Sequence, residues 1–244
     1  MRSEYAEGYA ELYRRHWWWR AREEYLMDVL RRYLPEGRSS RILDVGCGAG
    51  LFFERLSEFG SVQGVEADTT MRTGRPEIDD RIHWGTIESF RPGAAFHAVL
   101  MLDVLEHLSD PLPFLQRGVE LLERGGVLIA TVPAFPLLWT SHDVLNEHFR
   151  RYTKRTLGEL LRSAGCSLFT LDYFFHWTFP AKLLVRLTES LGPRRHRAPE
   201  LPGIPPPWVN RALYRISRFE QVHLGVWGLP FGSSLLAVAR PRRT

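Results

Sequence analysis

The stretch Ile42-Leu43-Asp44-Val45-Gly46-Cys47-Gly48-Ala49-Gly50 decides how this 244-residue chain is read. A short apolar run stops at three glycines, after which Phe52, Phe53 and Leu56 recur at helical spacing. Glycines let a chain turn tightly and bring its backbone against a ligand. A helix after such a turn offers free N–H groups to a carboxylate or phosphate. Glu66 ends the next apolar run, eighteen residues past Gly48, about where a second-strand acid grips ribose hydroxyls.

A dinucleotide turn would read G-x-G-x-x-G, but counted from Gly46 the third glycine position holds Leu51. Asp44, just ahead of the glycines, would also face a pyrophosphate unfavourably. It would favour an amino group, directly or through water. These residues point to S-adenosylmethionine (SAM), which carries an amino group and no phosphate, rather than to NAD or a purely structural turn.

Outward from this segment, short buried strands alternate with helices. Strands are expected at Val62–Val65, Ile82–Trp84, Phe96–Leu102, Val127–Val132, Leu168–Phe174 and Leu235–Ala239. A helix from Leu112 to Leu122 should close at Gly125-Gly126, and another from Thr156 to Ala164 should start on Thr156 as N-cap. The fold expected is α/β, a Rossmann-like, doubly wound, seven-stranded sheet in one domain. Residues 1–34 form an N-terminal helical cap, 35–175 the core, 176–232 a helical lid between strands six and seven, and 233–244 the last strand and tail. Inside the lid, Arg194 to Pro207 carries prolines 199, 202, 205, 206 and 207, which remove backbone donors. It reads as a mobile linker between helices at Pro180–Leu191 and Trp208–Leu224.

Bulk composition narrows the classes. The net charge of +4, from thirty arginines and only two lysines (Lys154 and Lys182), is too small to imply nucleic acid. Cys47 and Cys166 allow neither a disulfide framework nor a CxxC metal pattern, which fits a reducing compartment. The start of the chain lacks an apolar signal core, and no apolar run reaches transmembrane length. A cytoplasmic protein is expected.

Taken in order, the segments resemble class I SAM-dependent methyltransferases over roughly 40–175. Residues 42–50 resemble the first motif of that family. Gly85-Thr86-Ile87-Glu88 resembles the loop after the third strand, and Gly125-Gly126-Val127-Leu128 the turn into the fifth. Leu102-Asp103-Val104-Leu105-Glu106-His107-Leu108 resembles the post-strand-four motif of small-molecule methyltransferases of the ubiquinone and menaquinone group. His16-Trp17-Trp18-Trp19-Arg20-Ala21-Arg22 is similar to an HWWFxxR segment of a bacterial branch. Ser141-His142-Asp143 with His148-Phe149-Arg150-Arg151-Tyr152 is similar to its SxHD…HxRRY segment. No Asn or Asp followed by Pro-Pro-Tyr follows strand four, so the chemistry of DNA adenine methyltransferases is not expected.

The resemblance implies that Asp44, Gly46, Gly48, Gly50, Glu66, Ala67, Thr86, Ile87, Glu88, Leu102, Asp103 and His107 line the cofactor site. Trp18 and Arg22 would close over it, with Arg22 near the methionine carboxylate; the alternative is an aromatic helix face packed on the sheet. His142, Asp143, His148 and Tyr152 are the catalytic candidates, against the alternative of a solvated polar loop. On a helix, Asp143 and Glu147 would share a face, as would His148 and Tyr152. A histidine oriented by Asp143 has the makings of a proton acceptor. His142, Asp143 and His148 are zinc-ligand types, but the resemblance brings no metal and none is expected.

The expected acceptor is a small aromatic or lipid-like molecule under a roof of Trp17, Trp177, Phe179, Trp208, Tyr214 and Trp227, unless these aromatics are simply the core of a helical cap. Two rival readings stay open. One is a non-catalytic SAM-binding protein. The other is a peripheral membrane enzyme, because Leu183, Leu184, Leu187 and Leu191 lie opposite Lys182, Arg186 and Glu189 on an amphipathic helix.

Overall fold

The computed structural model describes residues 10–34, 39–191, 203–224 and 228–242. Its strands are β1 (Ser40–Val45), β2 (Gly60–Glu66), β3 (Ile82–Trp84), β4 (Phe96–Leu102), β5 (Leu122–Pro133), β6 (Cys166–Phe174) and β7 (Ser234–Pro241). They form one sheet in the order β3-β2-β1-β4-β5-β7-β6, with β7 antiparallel to both neighbours and the pairs from β3 through β5 parallel. Parallel strands sandwiched between layers are apolar on both faces, and β1 shows it. Leu43 and Val45 face one core cluster, while Ile42 faces the other.

The principal helices are α1 (Trp17–Tyr33), α2 (Pro111–Glu120), α3 (Ser141–Leu145), α4 (Lys154–Ser163), α5 (Thr178–Leu191) and α6 (Pro207–Phe219). Leu115 of α2 and Leu157 and Leu161 of α4 cover one face of the sheet. Leu26, Met27 and Leu30 of α1 cover the other, with Phe53 and Leu56 from a single helical turn. The insertion after β6 folds back on α1. Asn210 of α6 accepts the Trp17 N–H at 2.8 Å and donates to the Arg15 carbonyl at 2.8 Å, and Arg218 pairs with Asp28 at 2.6 Å.

Several boundaries differ from the sequence reading, each for a local reason. The helix after the glycine turn is only Phe53–Leu56, too short to act as an anion-binding helix terminus. α2 ends at Glu120, and β5 begins at Leu122. Gly125 and Gly126 therefore lie inside the strand, where its register against β4 shifts, rather than closing a helix. α4 is capped by Thr153; Thr156 is the reciprocal partner, its hydroxyl accepting the Thr153 N–H at 2.9 Å. Most of the proline-rich linker, 192–202, lies outside the described residues, as do residues 1–9.

No described helix is long and apolar enough to cross a membrane. Cys47 and Cys166 are both free.

Candidate active site

The C-terminal ends of β1 through β6, except antiparallel β7, lie along one edge of the sheet, where α/β folds bind ligands. At this edge the backbone is held in unusual conformations. Gly46, Gly48 and Gly50 have φ of 75°, 54° and 66°, a region that glycine enters without steric cost. Asp103, Phe135 and Phe175, directly beyond β4, near the end of β5 and directly beyond β6, also have positive φ (58°, 57° and 57°). Non-glycine residues pay for that conformation, which is commonly retained where a site needs it.

The glycine turn is fixed by Glu66. One carboxylate oxygen accepts the Gly48 N–H at 2.8 Å and the other the Asp68 N–H at 2.9 Å. Each oxygen keeps a second lone pair for a ligand hydroxyl. A Cβ built on Gly46 would clash with Val104, whereas one on Gly48 would meet only Met71 Cε at 3.8 Å. Gly46 is therefore a packing glycine, and Gly48 borders open space beside Glu66. A cradle of this shape, with an acid poised for ribose hydroxyls, fits SAM. Asp44 is buried beneath it. Burial, only partly offset by Arg22, raises its pKa to about 7. A ligand ammonium would restore the carboxylate.

Arg22 reaches from α1 to the ends of β4 and β5. Its Nη2 pairs with Asp103 at 2.7 Å and donates to Thr131 Oγ1 at 3.0 Å, and Thr131 donates to Asp103 at 3.1 Å. The guanidinium lies 5.7 Å from the Trp18 ring, which stacks on Phe175 at 5.7 Å. Trp18 and Arg22 are thus brought to the same edge as the glycine turn. Ala67, Thr86 and Glu88 are exposed along it, and Leu102 is half-buried. Ile87 is fully buried in the core, so its side chain is not a cofactor contact; only its backbone remains available.

His107 is exposed just beyond β4. Its ring meets His148 edge-on at 4.7 Å, which groups it with the 141–152 segment. Burial and then His148 lower its pKa.

That segment is not one helix. α3 stops at Leu145, Glu147 has a φ of 55°, and the two expected shared faces do not form. Asp143 is fully buried, while Glu147 is exposed. Asp143 accepts two bonds from Arg151, at 2.8 and 2.9 Å, one from the Thr140 N–H at 2.9 Å, and contacts His148 Nδ1 at 2.9 Å. Burial opposes its ionisation, but the His148 and Arg151 bonds and the Arg151 charge prevail and hold it well below the usual carboxylate range.

With Nδ1 engaged as a donor to Asp143, His148 Nε2 has no hydrogen-bond partner among the described residues. Tyr152, by contrast, is buried and donates its hydroxyl to the Leu105 carbonyl at 3.0 Å. It is a packing residue, not a catalytic one. His142 is exposed; desolvation and then Lys182 lower its pKa.

Two groups escaped the sequence reading. Glu106 is buried, its Oε2 has no hydrogen-bond partner among the described residues, and burial followed by Asp103 raises its pKa well above normal. Donor atoms of Glu106, His107 and His148 all lie within 4.8 Å of one another. Lys182 of α5 is the other. Burial and then Arg151 lower its pKa to about 8, and Asp143 and Asp103 partly oppose the fall. Glu189, two turns along the same face of α5, binds Ser141 through Oγ at 2.8 Å and N–H at 3.2 Å, so that face is docked on α3.

The aromatic roof is partly as expected. Trp17 lies 5.2 Å from Trp177, Phe179 sits edge-on to Phe135 at 5.4 Å, and Arg20 covers the Tyr214 ring at 4.6 Å. Trp208 is no part of it, being 76% exposed, and Trp227 lies outside the described residues.

Glu66→Ala should weaken S-adenosylhomocysteine (SAH) binding by about 1–3 kcal/mol, the cost of leaving bound hydroxyls without their charged acceptor. Calorimetry of the variant checks this, and unchanged affinity would remove Glu66 from the site.

The model of a methyltransferase domain matches residues 18–171, more than half of the chain. A ubiquinone biosynthesis O-methyltransferase of Azorhizobium caulinodans is 33% identical over 173 residues, 61% of this chain and 68% of the relative. One of Bradyrhizobium diazoefficiens is 34% identical over 98 residues, 37% of this chain and 39% of the relative. The chain spans about two-fifths of the length of most such relatives. A SAM-dependent methyltransferase of Mesorhizobium loti shares the fold at a TM-score of 0.53 and 20% identity, over 87% of this chain and 96% of that one. A Haloferax volcanii methyltransferase solved with the Trm112 activator does so at 0.60 and 17%, over 99% and 96%. With the matched segment containing the glycine turn, Glu66 and the strand edge that carries them, the chain belongs to the methyltransferase-domain family of class I SAM-dependent enzymes.

Proposed function

We propose that the chain transfers a methyl group from SAM to a small aromatic or lipid-like acceptor held against the 141–152 segment. The observation that carries this reading is the chain Arg151–Asp143–His148, which orients one imidazole and leaves its Nε2 open. When bound, SAM supplies an electrophilic methyl on a positively charged sulfur. Asp44 would hold its ammonium, and Glu66 would accept its ribose hydroxyls. Trp18, Phe175 and the Trp17–Trp177 pair keep water from the edge.

Charge disappears during the displacement, so positioning carries most of the work, on the order of 7–11 kcal/mol. His148 takes the proton of an acceptor hydroxyl. Lys182 then stands near the resulting oxyanion. The Phe135, Tyr173 and Phe179 rings, with centroids 4.7 and 5.4 Å apart, offer an apolar wall for a flat or greasy acceptor.

Products formed from a cell metabolite extract and isotopically labelled SAM, read by mass spectrometry, test the proposal. A labelled aromatic or isoprenoid-type product supports it. Binding of SAH with no labelled product from any extract would favour a non-catalytic module.

Asp44 gives a pH signature. Burial raises the pKa of its carboxyl to about 7 in the free protein, and in a complex it would be ionised against the ammonium. Affinity should therefore rise as pH rises through that value, by about tenfold from pH 6 to pH 8, with proton release at the lower pH. Calorimetry in buffers of different ionisation enthalpy measures both. A flat profile with no proton release would detach Asp44 from the ammonium.

A further inference from the structure

α6 turns a single continuous stripe away from the protein. Trp208, Arg211, Ala212, Arg215, Ile216 and Phe219 recur at helical spacing along it, and Val222 extends it into the π-helical turn that follows. Trp208 is 76% exposed, Phe219 61%, Val222 54% and Ile216 48%. Four large apolar side chains in one row is more than scattered surface hydrophobicity requires.

The opposite face of the helix is fully committed. Asn210 ties it to Trp17 and Arg15, Arg218 to Asp28, and Ser217 accepts the Trp177 indole N–H at 3.1 Å. The polar bonds that hold the helix in place thus lie on the face opposite the stripe. Its charge is one-sided: α6 contains no Asp or Glu, and Arg211 and Arg215 make no ion pair among the described residues.

We propose that this face of α6 docks on an anionic lipid surface. A stripe of exposed apolar side chains interspersed with arginines that make no ion pair among the described residues, with a tryptophan at one end, is the pattern of a helix lying in a membrane interface. Trp208 and Phe219 enter the boundary between headgroups and acyl chains, and Arg211 and Arg215 reach lipid phosphates from its edge. A second copy of the chain fits worse. A twofold contact through this stripe would oppose arginines to arginines with no acid to relieve them. Trp177 and the buried Glu220, which accepts the backbone N–H groups of His176 and Trp177 at 2.8 and 2.9 Å, tie the end of α6 to the start of α5. Docking would thus bring the lid helices to the lipid. The proposal deepens the lipid-like acceptor reading and rests on it for its purpose only; binding is testable without turnover.

The test is flotation of the full chain with vesicles of phosphatidylcholine alone and of phosphatidylcholine with phosphatidylglycerol, at low and high salt. The chain should float with the anionic vesicles at low salt and stay down otherwise. Replacing both Arg211 and Arg215 by Gln should lower the partition constant roughly 25-fold, about fivefold per arginine. Replacing Trp208 and Phe219 together by Ser should lower it at least about tenfold. Both double variants should keep wild-type SAH affinity. Absence of flotation, or variants that float like the wild type, would overturn the proposal. A concentration-dependent dimer abolished by the Trp208 and Phe219 changes would do the same, by assigning the face to a second copy. Vesicle binding without SAH binding would instead refute the methyltransferase reading and leave the docking surface standing.

Discussion

His148→Ala should lower turnover by about 10²- to 10⁴-fold, the usual contribution of a positioned base, and leave SAH affinity nearly unchanged. The imidazole lies with the 141–152 segment, not in the glycine cradle, and its Nδ1 is committed to Asp143. Its free nitrogen is therefore the one group of that segment both oriented and available. The pH–rate profile of the wild type should have an acidic limb that this variant loses. His142→Ala should change little, because His142 is exposed and has no comparable side-chain partner. If neither variant alters turnover by more than about twofold, far below what a base contributes, the segment is structural and proximity alone drives transfer.

Asp143→Ala should cost about 3–5 kcal/mol of stability, because it strands a buried guanidinium. Arg151 is buried, and its remaining bond, to the Ala134 carbonyl at 3.1 Å, cannot neutralise its charge. Turnover should fall as well, since His148 loses its orienting partner. Denaturant unfolding measures the first effect and single-turnover kinetics the second. The sign with pH follows from a carboxyl held far below its unfolded value. Its contribution is complete above the unfolded pKa, near 3.9, and is lost as pH falls toward the folded one. Wild type and Asp143→Ala should therefore converge in stability in acid. A variant within about 1 kcal/mol of wild type at neutral pH, the range of an exposed pair, would show that Asp143 and Arg151 are solvated.

The parts of the fold that follow from hydrophobic period were legible in the sequence. β3 and β4 have the expected ends, and the glycine turn with Glu66 forms where the residues demanded it. Boundaries set by backbone pairing were not. Gly125 and Gly126 read as a helix stop, yet cross-strand bonds carry β5 past them. In the 141–152 segment residue density pointed to a region that gathers titratable groups around Asp143. Which member stays accessible depends on burial, which spacing does not encode. Tyr152 enters the core, Asp143 is claimed by Arg151, and His148 is oriented through Nδ1 while His142 stays exposed without such a partner among the described residues. Glu106 and Lys182 carried no readable signal. Glu106 is buried by the turn after β4, and Lys182 is brought in by a helix some thirty residues after α3, docked through Glu189.

Calorimetric titration with SAH and with NAD, on the same preparation, tests the central claim most directly. The cradle has an acid for ribose hydroxyls, a buried Asp44 for an ammonium, and no helix terminus long enough to favour a pyrophosphate. SAH should bind in the micromolar range and NAD should give no measurable heat. Binding of NAD in preference to SAH would contradict the account.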